Sequence, residues 1–172
     1  IIIDADADLD DAVPGTVRSA FGYQGQKCSA AARVIVVGDL HDAFVERLVD
    51  ATRSLKIGDP QQPGNLMGPV IDAVAQERIK AVIEQGSQRA QRVLYEPERV
   101  PADGYYVAPA IFTGVKPDDP LAQEEIFGPV LSVMRAADFD QALEIANSTR
   151  YALTGGVYSR RPSHLERARD AF

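Results

Sequence analysis

The sequence predicts an α/β domain of three layers, a largely parallel sheet with helices on both faces. Two observations carry that expectation. Short runs rich in β-branched residues alternate with segments whose apolar residues recur at helical spacing, and the helical segments are long enough to act as crossovers between parallel strands. Runs such as Arg33-Val34-Ile35-Val36-Val37 are apolar almost throughout, as strands covered on both faces are. At 172 residues, with 45% hydrophobic and 25% charged positions, the chain fits one ordinary domain. No internal repeat, low-complexity tract or interdomain linker divides it.

The elements follow in order. Ile1-Ile2-Ile3 is an apolar β-branched triplet of the kind that forms a buried strand. Asp8 caps a helix whose apolar positions are Leu9, Ala12, Val13, Val17, Ala20 and Phe21, with Asp10 and Asp11 at the positive end of its dipole. Pro14-Gly15 lies inside that pattern and should kink or delay it, since proline removes a backbone donor and crowds the preceding turn. Gly22 to Cys28 breaks the periodicity, and Arg33 to Val37 reads as a strand, so Cys28 lies between a helix and a strand. A second amphipathic helix runs from Asp42 to Leu55 on Phe44, Val45, Leu48 and Val49, and the turn signals Gly58-Asp59-Pro60 open a loop that continues to Pro69. Asp72 caps a third helix to about Gln85, closed by Gly86, with a strand at Arg92 to Tyr95. Short strands are expected at Tyr105 to Val107 and Ile111 to Phe112, then Val130 to Met134 as strand and Phe139 to Ala146 as helix. Gly155 to Tyr158 as strand and Ser163 to Ala171 as helix complete the pattern. The apolar opening triplet and the uncapped final helix lead us to expect a piece of a longer polypeptide.

Composition excludes several function classes. A formal net charge of −7 leaves no general cationic surface for phosphate backbones, so a nucleic-acid partner is not expected. No apolar run approaches the ~20 residues that span a bilayer, and Ile1-Ile2-Ile3-Asp4 does not resemble a signal peptide, so the expected setting is cytoplasmic, with no membrane partner. The single cysteine, Cys28, excludes an internal disulfide, and with only His41 and His164 no Cys/His zinc cluster can form. Both histidines fall in helix-like surface patterns.

Cys28 is the first candidate for chemistry. Gly25 permits close backbone approach and Lys27 adds a positive charge beside the thiol, features that favour a thiolate; the alternative is a small buried hydrophobe, with Lys27 pointing to solvent. A papain-like Cys–His pair has little support, because no histidine lies nearby. Gln123-Glu124-Glu125-Ile126-Phe127-Gly128-Pro129-Val130 joins two carboxylates, an aromatic and a Gly-Pro turn before a strand. Carboxylates there could accept from sugar hydroxyls and the aromatic could pack on a planar ring, or the segment is a solvated acidic turn. A glycosidase pair fails, since adjacent Glu124 and Glu125 rarely face one bond from opposite sides. Gly155-Gly156 lacks the strand-to-helix context of a dinucleotide fingerprint.

Ser19 to Ala30 (Ser-Ala-Phe-Gly-Tyr-Gln-Gly-Gln-Lys-Cys-Ser-Ala), Met67-Gly68-Pro69-Val70-Ile71 and Glu124 to Val130 together resemble the catalytic domain of the aldehyde dehydrogenase superfamily. The similarity runs from Ile1 to Phe172. Gln-Lys-Cys-Ser, with Asn147 to Gly155, is closest to the 1-pyrroline-5-carboxylate (glutamate-γ-semialdehyde) dehydrogenase subfamily.

The resemblance implies NAD-dependent oxidation of glutamate γ-semialdehyde to glutamate in proline catabolism, by a homo-oligomeric enzyme acting on a small aldehyde. Cys28 is then the nucleophile, giving a thiohemiacetal and a thioester, and its backbone N–H helps to hold the oxyanion, a contact worth roughly 3 kcal/mol in other enzymes. Glu125 matches the carboxylate on the nicotinamide ribose and Phe127 the aromatic beside the nicotinamide. Ser29 looks like the hydroxyl that holds the substrate's α-carboxylate, its alternative being a turn hydroxyl satisfied locally. The family's general-base glutamate, its nucleotide-binding domain and its oxyanion asparagine correspond to sequence upstream of Ile1, and its oligomerisation tail to sequence downstream of Phe172. The expectation is therefore a thiol-bearing catalytic domain over residues 1–172 that is inactive alone and leaves most of the NAD contacts elsewhere. Pro14 departs from the family's usual helix former.

Overall fold

The computed structural model describes residues 1–172. Twelve strands and α-helices follow one another: β1 (Ile2–Ile3), α1 (Leu9–Phe21), β2 (Arg33–Val37), α2 (Leu40–Arg53), α3 (Ala73–Gly86), β3 (Gln91–Leu94), β4 (Ala110–Thr113), α4 (Pro120–Gln123), β5 (Val130–Ala136), α5 (Phe139–Ala146), β6 (Val157–Tyr158) and α6 (Pro162–Ala171). The six strands form one sheet in the order β3-β4-β5-β2-β1-β6. Every neighbouring pair is parallel except β3 with β4 at one edge.

Strand alternation sorts the apolar residues onto two faces. Ile2, Ile35, Val37, Phe112, Val130 and Met134 pack with α3, α5 and α6, through Ile79, Ile83, Phe139, Leu143 and Ala168. Ile3, Val34, Val36, Ile111, Leu131 and Val133 pack with α1 and α2, through Val13, Val17, Phe21, Phe44 and Leu48. The three-layer, largely parallel arrangement is as expected. Four helices start on an aspartate whose carboxylate accepts a first-turn N–H: Asp8 from Asp10, Asp72 from Ala75, Asp119 from Leu121 and Asp138 from Gln141.

Several local expectations are corrected. Helix α1 is continuous through Pro14. Gly15 beside it leaves a notch that the Tyr158 hydroxyl fills, 1.9 Å from where a Cβ would stand. Tyr105 to Val107 is not a strand, because the Tyr105 carbonyl accepts from Val70 N–H (2.9 Å) and that of Tyr106 from Gln76 Nε2 (2.8 Å). Helix α2 begins at Leu40, ahead of Asp42, and so takes in His41. The one-turn α4 was not anticipated; Asp119 caps it and Pro120 opens it.

Both histidines are withdrawn from the surface, His41 buried and His164 half-buried. His41 is buried, with Nδ1 2.8 Å from the Asp42 carboxylate. His164 reaches across the fold to Asp4, Nδ1 to Oδ2 at 2.6 Å, and Ser159 Oγ donates to the same oxygen at 2.6 Å. Asp4 is 1% exposed. Burial pushes its carboxyl pKa up, but hydrogen bonds from Ser159, His164 and the Ala5 N–H, together with the imidazole's charge, outweigh that and hold it below the ordinary value. The following aspartates are paired in turn: Asp6 with Arg161, Asp8 with Arg160, Asp10 with Arg47.

Two predictions follow from this packing. A carboxylate with a lowered folded-state pKa contributes stability above its unfolded value of about 3.9 and loses it as the pH falls through the folded value. Asp4→Asn is therefore expected to cost about 3 kcal/mol at neutral pH and to flatten the decline in stability below about pH 4, read by urea titration across pH. Thr16 is wholly buried and its Oγ1 has no hydrogen-bond partner. Thr16→Val, which keeps the shape and removes the unpaired hydroxyl, should stabilise the fold by about 1 kcal/mol, seen as a raised midpoint in the same titration.

Candidate functional site

The thiol is delivered by a tight reversal at the end of α1. Tyr23, Gln24 and Gly25 all take left-handed backbone, with φ of 54, 59 and 67°. Two of them carry side chains, so the turn is strained and needs support from its surroundings. That support includes Gln26 N–H to the Tyr23 carbonyl (2.9 Å), Ala30 N–H to the Lys27 carbonyl (3.0 Å) and Ala31 N–H to the Ser19 carbonyl (3.2 Å). Cys28 and Ser29 lie exposed at the tip, so the buried-hydrophobe alternative for Cys28 does not hold.

Two distant segments lock onto this turn. Gln26 Oε1 accepts from Ile71 N–H at 3.0 Å, and the Gln24 side-chain oxygen accepts from Gly68 N–H at 2.6 Å. A Cβ on Gly25 would stand 2.2 Å from the Gly128 carbonyl oxygen, so the two backbones touch. Gly128 in turn has no room for a side chain, since its own Cβ would meet Ile79 Cδ1 of α3 at 2.6 Å. Arg78 of the same helix donates to the Ile126 carbonyl at 2.5 Å. Phe127, held between these anchors, is the third non-glycine residue with positive φ, at 50°, and the residue is 38% exposed. The three stretches that carry the sequence resemblance therefore form one interlocked unit.

An open cleft of about 830 Å³ lies against that unit, and Cys28, Ser29, Glu125 and Phe127 all line it. Glu125 is exposed and forms no hydrogen bond or ion pair, whereas its neighbour Glu124 is paired with Arg150 at 3.2 Å. Ser29 likewise has no hydrogen-bond partner in the chain, which disfavours the locally satisfied hydroxyl. Lys27 is exposed and lines the same cleft, with its ammonium over the Tyr23 ring, 4.5 Å from the centroid, a cation–π contact. Neither histidine lines the cleft, which removes the Cys–His pair from consideration.

Sequence reasoning assigned no site residue on a further wall of the cleft. Residues 147–158 supply Asn147, Thr149, Tyr151, Leu153 and Tyr158, and Ser19 of α1 adds a hydroxyl. At the cleft base Arg33 donates to the carbonyls of Ile145 (3.1 Å) and Ala146 (2.9 Å), closing the end of α5, and burial lowers its guanidinium pKa from the ordinary value. Two signals were available: Asn147 to Gly155, which entered only through the resemblance, and Gly15, a glycine in mid-helix that marks the seat of Tyr158.

A family model described as the aldehyde dehydrogenase family matches residues 1–172. The 1-pyrroline-5-carboxylate dehydrogenase of Geobacillus kaustophilus (strain HTA426) is 46% identical over 172 residues, all of this chain and 33% of that protein. Among solved structures, proline utilization A from Bdellovibrio bacteriovorus inactivated by N-propargylglycine superposes with a TM-score of 0.96 at 49% identity, covering 99% of this chain and 18% of that one. A Thermus 1-pyrroline-5-carboxylate dehydrogenase with bound NAD gives 0.92 at 47% identity, over 98% of this chain and 32% of that one. The chain thus spans about a third of the length of the curated relatives it matches.

The glycine contact yields a paired test. Gly25→Ala places a Cβ on backbone at a positive φ, and should cost about 3 kcal/mol and change the rate at which a thiol reagent modifies Cys28. Gly22→Ala, where nothing lies within 4 Å, should stay within about 0.5 kcal/mol of the parent with an unchanged modification rate. Thermal unfolding and timed alkylation read both.

Proposed function

Because the chain belongs to the aldehyde dehydrogenase family, we propose that it is the thiol-bearing catalytic domain of a longer NAD-dependent enzyme. That enzyme oxidises glutamate γ-semialdehyde, the open form of 1-pyrroline-5-carboxylate, to glutamate in proline breakdown. The observation that carries the reading is the meeting of Cys28, Ser29, Glu125 and Phe127 on one cleft. The 1-pyrroline-5-carboxylate dehydrogenases at 40 to 46% identity support the substrate.

In this reading the Cys28 thiolate attacks the aldehyde carbon and forms a thiohemiacetal, a step suited to a group that is both a ready nucleophile and a good leaving group. Charge gathers on the former carbonyl oxygen. The Cys28 backbone N–H, which donates to no other group of the chain, is the donor at hand for it. Ser29, exposed and unpartnered beside the nucleophile, offers its hydroxyl to the substrate's α-carboxylate. The residues facing the cleft also suit the nicotinamide end of NAD. Glu125 is an unpaired acceptor for ribose hydroxyls, and Phe127, presented by its left-handed backbone, is a face for a planar ring. NAD, when bound, supplies the two-electron acceptor for the oxidation. The thioester on Cys28 is then released by water, and we assign the base for that water to the glutamate that the family resemblance implies upstream of Ile1. We assign the remaining NAD contacts and the homo-oligomer interface to the rest of the polypeptide.

Cys28→Ala in the full-length protein should lower NADH formation from glutamate γ-semialdehyde by roughly 10⁴-fold or more. Survival of the activity would end the assignment of the nucleophile. Comparison of kcat/KM for glutamate and succinate semialdehydes in the parent protein tests the substrate, with the amino-acid aldehyde expected to be preferred.

A further inference from the structure

The wall formed by residues 147–156 lies at the surface, and Tyr151, Leu153 and Thr154 on it are exposed. Besides the Arg150–Glu124 pair and the Ile2 N–H that donates to the Gly156 carbonyl at 2.8 Å, three contacts tie it to neighbouring elements. Gln123 Nε2 donates to the Ser148 carbonyl at 3.0 Å, Asn147 Nδ2 donates to the Ala171 carbonyl at 3.1 Å, and the Phe172 ring lies against Gly155, 2.8 Å from where a Cβ would stand. Two of the three come from the far end of α6.

Helix α6 itself is weakly rooted. Ala168 is its only buried residue, and a helix of ten residues does not persist on propensity alone. Its first turn is held instead by His164, whose Nδ1 meets Asp4 at 2.6 Å while its ring stacks on Phe139 of α5 at 4.1 Å between centroids and 18° between planes. One turn on, Arg167 lies over the same Phe139 ring at 5.7 Å and pairs with Asp140. The Asp4 oxygen that receives His164 also receives Ser159, which directly follows β6. The buried Asp4 carboxylate therefore joins both ends of the turn that sets the direction of α6, while the Asp6 carboxylate accepts from Arg160 N–H at 3.1 Å and pairs with Arg161 between them.

We propose that Asp4 and His164 are positioning residues for the cleft: they pin the first turn of α6, and α6 holds the wall at Asn147 to Gly156 in place. Neither residue lines the cleft. Only the consequence for catalysis rests on the function proposed above; the mechanical link stands on the contacts themselves.

Hydrogen exchange measured on the full-length protein tests the link. His164→Ala should speed exchange across residues 147–156 by about tenfold while α1 and β2 keep the parental rates. His164→Asn, whose amide nitrogen can donate where Nδ1 did, should restore the slow exchange. In the aldehyde assay, His164→Ala should raise KM for NAD or aldehyde about fivefold with kcat within about twofold, and alkylation of Cys28 should be unaltered. Parental exchange at 147–156 in His164→Ala overturns the proposal, as does faster exchange spread evenly over the chain with no rescue by asparagine. Should His164→Ala fail to fold, Asn147→Ala cuts the strap at its other end. It should loosen 147–156 and leave the start of α6 protected, and parental exchange there overturns the proposal equally. If the full-length protein oxidises no aldehyde, the functional reading fails while the exchange experiment still decides the link.

Discussion

Gly25 and Gly128 meet backbone to backbone, and the geometry of the cleft depends on that approach. Gly25 belongs to the turn that carries the thiol, and Gly128 to the loop that carries Glu125 and Phe127. With no side chain on either, the two loops close to a distance that a single methyl group would forbid. Behind Gly128 stands Ile79, so α3 transmits the position of the sheet to the loop, and Arg78 secures the neighbouring carbonyl. The strained backbone of Tyr23, Gln24 and Phe127 is tolerated because it is held from several sides at once. Such over-determination presents the thiol, hydroxyl, carboxylate and ring on elements that do not drift independently.

Much of this was legible before the structure. Apolar periodicity located α1, α3 and α5 with their aspartate caps, and the continuous apolar runs at Arg33 to Val37 and Val130 to Met134 marked strands covered on both faces. What escaped notice depended on partners far away in sequence. Nothing local announces that Asp4 lies opposite His164, or that the carbonyls of Tyr105 and Tyr106 turn toward α3 and its approach instead of a neighbouring strand. Pro14 and Gly15 were read through helix propensity alone, whereas Gly15 answers to Tyr158. The site residues were legible as a motif, but their shared cleft was not, because Tyr23, Gln24 and Phe127 adopt conformations that their residue types do not advertise.

The alternating aspartates near the start of the chain show how one pattern serves several purposes. Asp8 caps a helix, while Asp4 and Asp6 reach α6 and the residue that caps it, and Asp10 reaches α2. Surface pairs of this kind are each worth at most about 1 kcal/mol, so the exposed members chiefly orient their segments. Asp4 differs because it is buried and fully satisfied, and removal of a partner would strand a charge without water.

The strand order carries a kinetic corollary. Strand β1, two residues long, lies between β2 and β6, with Ile2 paired to Ile35 on one side and Val157 on the other. The first pairing closes a modest loop, but the second must gather nearly the whole chain. Closure entropy rises with separation, so β6 and the helix after it join a sheet whose other strands have already found their neighbours. The cleft wall, lying just before β6, would then be among the last parts of this domain to acquire its shape during folding.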